Sequence, residues 1–205
     1  VDTLVVDKTG TLTVGRPRLA FVSSAAGAGP ASSPPLTDDE LLRLAASLER
    51  ASEHPIARAI VDGAAARSLP LDSPRDVEAR AGEGIAGRVD GRAVAVGTLP
   101  LLQELAVTAL PGAAVLDEQR RLGRTAMLVA VDGAYAGMVA VADAIKASTR
   151  EALAMLRDEH VRVVMLTGDA KVTAAAVATE LGIDEVVAEV LPDAKAAAVK
   201  RLIDE

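Results

Sequence analysis

The spacing of apolar residues changes period several times along the chain, and each change predicts an element. Val1 to Val6 is a short apolar run that ends on Asp7 and meets the turn residues Thr9-Gly10-Thr11. This is the pattern of a buried strand delivering a carboxylate into a turn. Ser23 to Pro35 is rich in Ala, Gly, Ser and Pro and predicts a flexible loop. Thr37 with Glu40 three positions on forms a capping-box pair, which starts a helix running to about Ala51. Pro55 stands where a first helical residue belongs, and the helix continues from Ile56 to Arg67. Gly84 to Gly97 reads as two strands turning at Asp90-Gly91, and Thr125–Val131 with Tyr135–Val141 as two more turning at Asp132-Gly133. A helix is predicted from about Gly112 to Leu122, with Gly123 as its stop.

From Thr149 onward the period alternates: helix Thr149–Asp158, strand Val161–Leu166, helix Lys171–Leu181 ending at Gly182, a short strand at Val186–Val187, and a last helix capped by Asp193. Strands alternating with helices predict a parallel sheet with helices on its faces, the α/β class. The first strand belongs with this later unit. The expected organisation is therefore an α/β domain made of residues 1–18 and 124–205, interrupted by an inserted α+β domain over 19–123.

Half of the 205 residues are apolar, but Phe21 and Tyr135 are the only aromatics, so the core has to be built from Ala, Val, Leu and Ile. The formal charge of −7 argues against nucleic acid as a partner, whose phosphates need clustered Lys and Arg. The absence of cysteine excludes disulfides and thiolate metal sites. No apolar run approaches the roughly 20 residues that span a bilayer. The chain opens on Val1 and closes inside a helical pattern, and both ends read as cuts in a longer protein.

The chemistry concentrates in Asp7-Lys8-Thr9-Gly10-Thr11-Leu12-Thr13. A carboxylate at the carboxyl end of a buried strand sits where open α/β sheets place their ligands. A following turn of small residues offers backbone N–H groups to a phosphate. An aspartate there can attack a phosphoryl group and hold it as an acyl phosphate. Thr167-Gly168-Asp169 follows a second apolar strand and can bring a hydroxyl and N–H groups to the same sheet edge.

The Asp7–Thr13 run resembles the phosphorylation signature of P-type ATPases, which share the haloacid-dehalogenase-like fold. Three more segments match that family in order. Ser52-Glu53-His54-Pro55 is similar to the nucleotide-domain motif of the heavy-metal branch, Gly82-Glu83-Gly84-Ile85-Ala86-Gly87 to its glycine motif, and Thr167-Gly168-Asp169 to its second phosphate motif. The resemblance implies ATP binding near Glu49, Glu53, His54, Gly82, Gly84, Ile85 and Gly97. It also implies phosphorylation of Asp7, with Lys8, Thr9, Thr167, Gly168, Asp169 and Lys195 around it.

Mg²⁺ would bridge Asp7, the Thr9 carbonyl and an aspartate of a segment beyond Glu205. The partners implied are membrane helices, an actuator domain and a heavy-metal ion, copper(I) on the likeness of Ser52-Glu53-His54-Pro55 and Ala188-Glu189-Val190-Leu191-Pro192, with zinc, cadmium and cobalt as the alternatives. The chain itself would be a monomer on the cytoplasmic side. Two positions depart from the pattern, Thr98 and Ala194.

Each motif has a plainer reading beside it. Taken alone, His54 before Pro55 is more often a helix-start residue than a ligand; Gly82–Gly87 reads as a glycine-rich turn into a strand, Asp143 as a solvated loop carboxylate as readily as a hinge residue, and Lys195 as a solvated helix face. The position two residues after the nucleophile, where soluble phosphatases of this fold carry a second aspartate, is Thr9. Without that proton-transfer group an acyl phosphate should hydrolyse slowly, as a pump requires. The alternatives are a soluble phosphatase or phosphotransferase of the same fold, and a non-catalytic nucleotide-binding module. The fragment alone is expected to bind ATP and to phosphorylate itself poorly.

Overall fold

A computed structural model describes residues 2–25, 35–190 and 194–204. In chain order the elements are β1 (Thr3–Asp7), β2 (Arg18–Ser24), α1 (Asp38–Glu49), α2 (Pro55–Ala66), β3 (Arg75–Arg80), β4 (Gly84–Val89), β5 (Arg92–Gly97), α3 (Leu99–Glu104) and α4 (Ala113–Arg121). After them come β6 (Thr125–Val131), β7 (Ala134–Ala142), α5 (Thr149–Asp158), β8 (Arg162–Leu166), α6 (Lys171–Leu181), β9 (Glu185–Val187) and α7 (Lys195–Asp204). They divide into two compact units. One comprises Val1–Arg16, Leu116–Thr125 and Asp143–Glu205, and the other Pro17–Val115 and Ala126–Ala142.

The first unit is built on a parallel sheet in the order β1-β8-β9. Thr3 pairs with Arg162 and Asp7 with Leu166, while Leu166 pairs with Val187. Asp7, Leu166 and Val187 therefore end at one carboxyl edge. Alternation sends Val6, Val163, Met165 and Val186 to the face covered by Leu153, Ala174, Val177 and Leu181 of α5 and α6. Val5, Leu166 and Val187 turn to the other face, beside Val190 and Val199. α6 ends at Gly182, whose φ of 66° is the left-handed stop that glycine tolerates.

The second unit is a six-stranded sheet in the order β2-β7-β6-β5-β4-β3 with α1 and α2 packed on it. Its core joins Leu41, Leu44, Leu48 and Ile60 of the helices to Ile85, Val96, Val129 and Val139 of the strands. Thr37 caps α1 as expected: its hydroxyl accepts the Glu40 N–H at 3.2 Å, and Glu40 Oε2 accepts the Thr37 N–H at 2.8 Å. Both hairpins turn where Asp-Gly predicts, with positive φ at both central residues: Asp90 (52°), Gly91 (76°), Asp132 (52°) and Gly133 (77°).

The domain boundary differs from the expectation. The hairpin β6–β7 does not belong with the parallel sheet. β6 pairs with β5 from Val94↔Val131 to Gly97↔Leu128, and β7 pairs with β2. Val129, Val131, Val139 and Val141 enter the α1/α2 core. The inserted unit is thus discontinuous, and Leu116–Thr125 counts with the first unit. The predicted loop is described only to Ala25 and from Pro35, and the Asp193 cap, Leu191 and Pro192 lie outside the described residues.

Candidate functional site

Two groups of the expected residues form, one in each unit. In the first, β1 ends by presenting Asp7 at the carboxyl edge, and the chain winds through a turn closed by the Thr13 N–H on the Lys8 carbonyl at 3.2 Å. Lys195, in the first turn of α7, places its ammonium 2.6 Å from Asp7 Oδ1. The solvated-face reading of Lys195 is therefore replaced by a direct charge pair with the carboxylate. Lys8 turns elsewhere: it is buried and pairs with Asp169. Lys8 thus stands paired at the Thr167–Asp169 loop, and Lys195 stands paired at Asp7.

That loop is held by its own backbone. The Thr167 N–H donates to the Val187 carbonyl at 3.0 Å, the Val190 N–H to the Thr167 carbonyl at 3.1 Å, and the Glu189 N–H to the Asp169 carbonyl at 3.0 Å. The Thr167 hydroxyl oxygen accepts the Asp169 N–H at 3.2 Å. A Cβ on Gly168 would meet nothing nearer than the Val190 carbonyl at 3.4 Å, so packing alone does not demand glycine there.

Two residues absent from the expected site, Thr13 and Lys146, bind the turn itself. Thr13 Oγ1 lies 2.5 Å from Asp143 Oδ2, and Lys146 Nζ lies 2.6 Å from the Gly10 carbonyl. Asp143 is therefore an anchored residue and not a solvated one. A cavity of about 310 Å³, lined by Leu153, Arg157, Arg162 and Glu185 among others, opens at the opposite, amino-terminal edge of β8 and β9. It is on the wrong edge of the sheet for the chemistry of Asp7.

In the second unit Glu49 closes α1 and His54 caps α2. His54 Nδ1 accepts the Ile56 N–H at 3.2 Å, so the helix-start reading holds. It also fixes the neutral ring as the tautomer with its proton on Nε2, on a residue that is exposed, as is Glu53. Ile85 is buried, its side chain packed in the helix–sheet core.

The glycines divide by cause. A Cβ on Gly84 (φ 147°) would lie 2.2 Å from the Val96 carbonyl, and one on Gly97 2.5 Å from the Glu83 carbonyl, so the fold itself requires both. Gly82 (φ 76°) has no atom within 4 Å of where a Cβ would be, which leaves its backbone open to approach. No hydrogen bond among the described residues links Glu49 or His54 to these glycines.

Glu49 is 5% exposed, and burial pushes its carboxyl up from 4.5 to about 7. An acid whose folded pKa is raised binds more protons folded than unfolded between the two values, so stability falls as pH rises through that window and levels off above about 7. Glu49→Gln removes the ionisation. Denaturant unfolding at pH 5 and pH 8 should show the Gln variant gaining about 2 kcal/mol on wild type over that range. Parallel curves would mean that Glu49 stays ionised.

The chain matches the haloacid dehalogenase-like hydrolases over residues 1–205. It is 47% identical to a copper-transporting P-type ATPase of Rhizobium leguminosarum bv. viciae over 100% of this chain and 23% of that protein. It is 42% identical to a silver exporting P-type ATPase of Salmonella typhimurium over 98% of this chain and 24% of that protein. Among solved structures, a zinc-transporting PIB-type ATPase in its E2.Pi state superposes with a TM-score of 0.72 at 34% identity, over 100% of this chain and 32% of that one. The chain thus spans about a quarter of the length of these curated relatives. The chain belongs to the haloacid dehalogenase-like hydrolase family.

Proposed function

We propose that this chain is the nucleotide-binding and aspartyl-phosphate-forming portion of a P-type ATPase that moves a heavy-metal ion across a membrane, copper(I) first on the likeness to the named relatives. The observation that carries the reading is Asp7 at the carboxyl edge of the parallel sheet with the Lys195 ammonium on its Oδ1. The parent's membrane helices and actuator domain are the partners this implies. No helix among the described residues is long and apolar enough to cross a membrane.

The chemistry follows from these side chains. An Asp7 oxygen attacks the γ-phosphorus of ATP, a new O–P bond forms, and the bond to the β-bridging oxygen breaks to release ADP. Little covalent assistance is needed, so positioning and charge do most of the work. Lys195 holds Asp7 Oδ1 at 2.6 Å before the transfer and would then face the phosphoryl oxygens. Gly168 and the Thr167 hydroxyl lie at the next strand end, where those oxygens would sit.

The Asp7 carboxylate and the Thr9 carbonyl are hard oxygen donors of the kind Mg²⁺ takes. They would hold the ion in part, and among the described residues no group of three or more His, Cys, Asp or Glu is placed to hold a metal by itself. When bound, the ion would neutralise charge on the β- and γ-phosphates. Thr9, which cannot act as a general acid or base, supports a phosphoenzyme that persists and argues against a phosphatase.

Adenine recognition is assigned to the exposed Nε2 edge of His54 and to Glu49, with the open backbone at Gly82 receiving the rest of the nucleotide. Calorimetric titration of the chain with ATP tests this. His54→Ala should weaken binding about tenfold, the loss of one stacking or hydrogen-bonding contact. Because His54 also caps α2, His54→Asn is the control: it retains a helix cap but should bind as weakly as the Ala variant. Recovery of full affinity by Asn would reduce His54 to a cap, and no binding by the folded wild type would remove the nucleotide reading.

A further inference from the structure

The turn after Asp7 is gripped by side chains for which the proposed phosphoryl transfer has no direct use. Thr13 is buried, with Oγ1 2.5 Å from Asp143 Oδ2 and 3.2 Å from the Lys8 carbonyl. A hydroxyl has one proton, and the nearer, charged acceptor takes it. The same oxygen then accepts the Gly10 N–H at 3.3 Å.

Asp143 is itself held in place. Its Oδ2 accepts the Gly15 N–H and its Oδ1 the Arg16 N–H, both at 3.1 Å. Gly15 presses on the turn so closely that a Cβ would lie 3.0 Å from Gly10 Cα. From the other side Lys146 Nζ takes the Gly10 carbonyl at 2.6 Å. Backbone bonds from Lys146 N–H to the Leu12 carbonyl (3.0 Å) and from Val14 N–H to the Ala144 carbonyl (2.8 Å) keep the two segments in register.

A trans peptide is planar, so its C=O and N–H point in opposite directions. With the Gly10 N–H fixed on Thr13, the Thr9 carbonyl is turned away from Thr13. With the Gly10 carbonyl fixed on Lys146, the Thr11 N–H is turned away from Lys146. Two successive peptide planes, one carrying the oxygen expected to meet the cation and one carrying an N–H of the phosphate turn, are thereby set by groups outside the reacting set.

We propose that Asp143, acting through Thr13, is a positioning residue that aims the Thr9 carbonyl at the magnesium site, and that Lys146 sets the peptide after it. This rests on the reading of Asp7 as the phosphorylated residue. It differs from a purely architectural role in one respect: loosening the relay must weaken the cation more than the nucleotide.

The test uses the full-length parent. Thr13→Val removes both the proton and the acceptor at nearly constant volume, and Thr13→Ser restores them. Hydroxylamine-sensitive labelling from γ-labelled ATP is measured against Mg²⁺ concentration, with magnesium-free nucleotide affinity and hydrogen exchange of the segment 8–14 measured in the same proteins. Residues that orient metal ligands typically change affinity 10–100-fold, so half-saturating Mg²⁺ should rise about tenfold or more in Thr13→Val. Exchange in the segment should quicken, nucleotide affinity should stay within about twofold, and Ser should restore all three.

A Val variant with faster exchange but an unchanged Mg²⁺ requirement overturns the proposal. Should Val not fold, Asp143→Asn, which keeps the shape and drops the charge, carries the same comparison: a raised Mg²⁺ requirement supports the relay and an unchanged one overturns it. A wild type that binds ATP and takes no label under any Mg²⁺ concentration fails at the earlier reading, a result visible without any variant.

Discussion

Asp7→Asn in the full-length parent should bind nucleotide as wild type does and take up no hydroxylamine-sensitive label from γ-labelled ATP. An amide oxygen is a poor nucleophile, and the carboxylates described in the same unit near the turn are engaged: Asp169 by Lys8, and Asp143 by Thr13, Gly15 and Arg16. Stability should change little, because the Asp7–Lys195 pair is half exposed and such pairs contribute about 0–1 kcal/mol. Asp7→Glu sharpens the test. It keeps the charge and the partner but displaces the oxygens by about one bond, and a misplacement of about 1 Å costs on the order of a hundredfold in rate. Label surviving in the Asn variant at the wild-type level would move the acceptor to another residue and remove the central claim.

The legibility of these features follows from how local their causes are. Thr37 with Glu40, the two Asp-Gly turns and Gly182 act within a few residues, and each forms where the sequence places it. Asp7 was legible for a related reason: a short apolar run ending in a carboxylate before small residues has few other uses. Long-range allegiance was not legible. The hairpin β6–β7 has the same alternation whichever sheet it joins, and only the valines it adds to the α1/α2 core decide the matter. β3, with the sequence RDVEAR, has too little apolar alternation to show as a strand.

Within the site, the sequence placed Lys8 and Lys195 on one phosphate, whereas in the structure the Lys8 ammonium pairs with Asp169 and the Lys195 ammonium with Asp7. Ile85 fell inside a glycine motif and was read with it, but its period on β4 points it into the core. Thr13 is far in sequence from Asp143 and Lys146, and only the crossing of the two segments reveals the relay.

The glycine motif carries the second large expectation, and it concerns stability more than ligand contact. Gly84→Ala should lower the unfolding free energy by about 4 kcal/mol, the sum of a strained backbone and an overpacked contact at about 1–3 kcal/mol each. Gly84 has a φ of 147°, and its added methyl would sit 2.2 Å from the Val96 carbonyl and 2.5 Å from Gly97 Cα. The obstacle is mostly backbone of the paired strand, since Gly84 and Gly97 face each other in the β4–β5 ladder, and backbone cannot rotate aside. The Glu83 carbonyl, which accepts the Thr98 N–H at 2.8 Å, pins the same spot from the other side.

Gly82→Ala makes the contrast. Its φ of 76° costs some strain, but nothing lies within 4 Å of the new methyl. That variant should lose only about 1–2 kcal/mol and, if the nucleotide approaches there, should lose ATP affinity while remaining folded. Chemical denaturation and ATP titration of both variants separate the two reasons for glycine. A Gly84→Ala protein as stable as wild type would mean that β4 and β5 spread apart freely at this point, and the interlock at Glu83, Gly84 and Gly97 would then hold nothing in place.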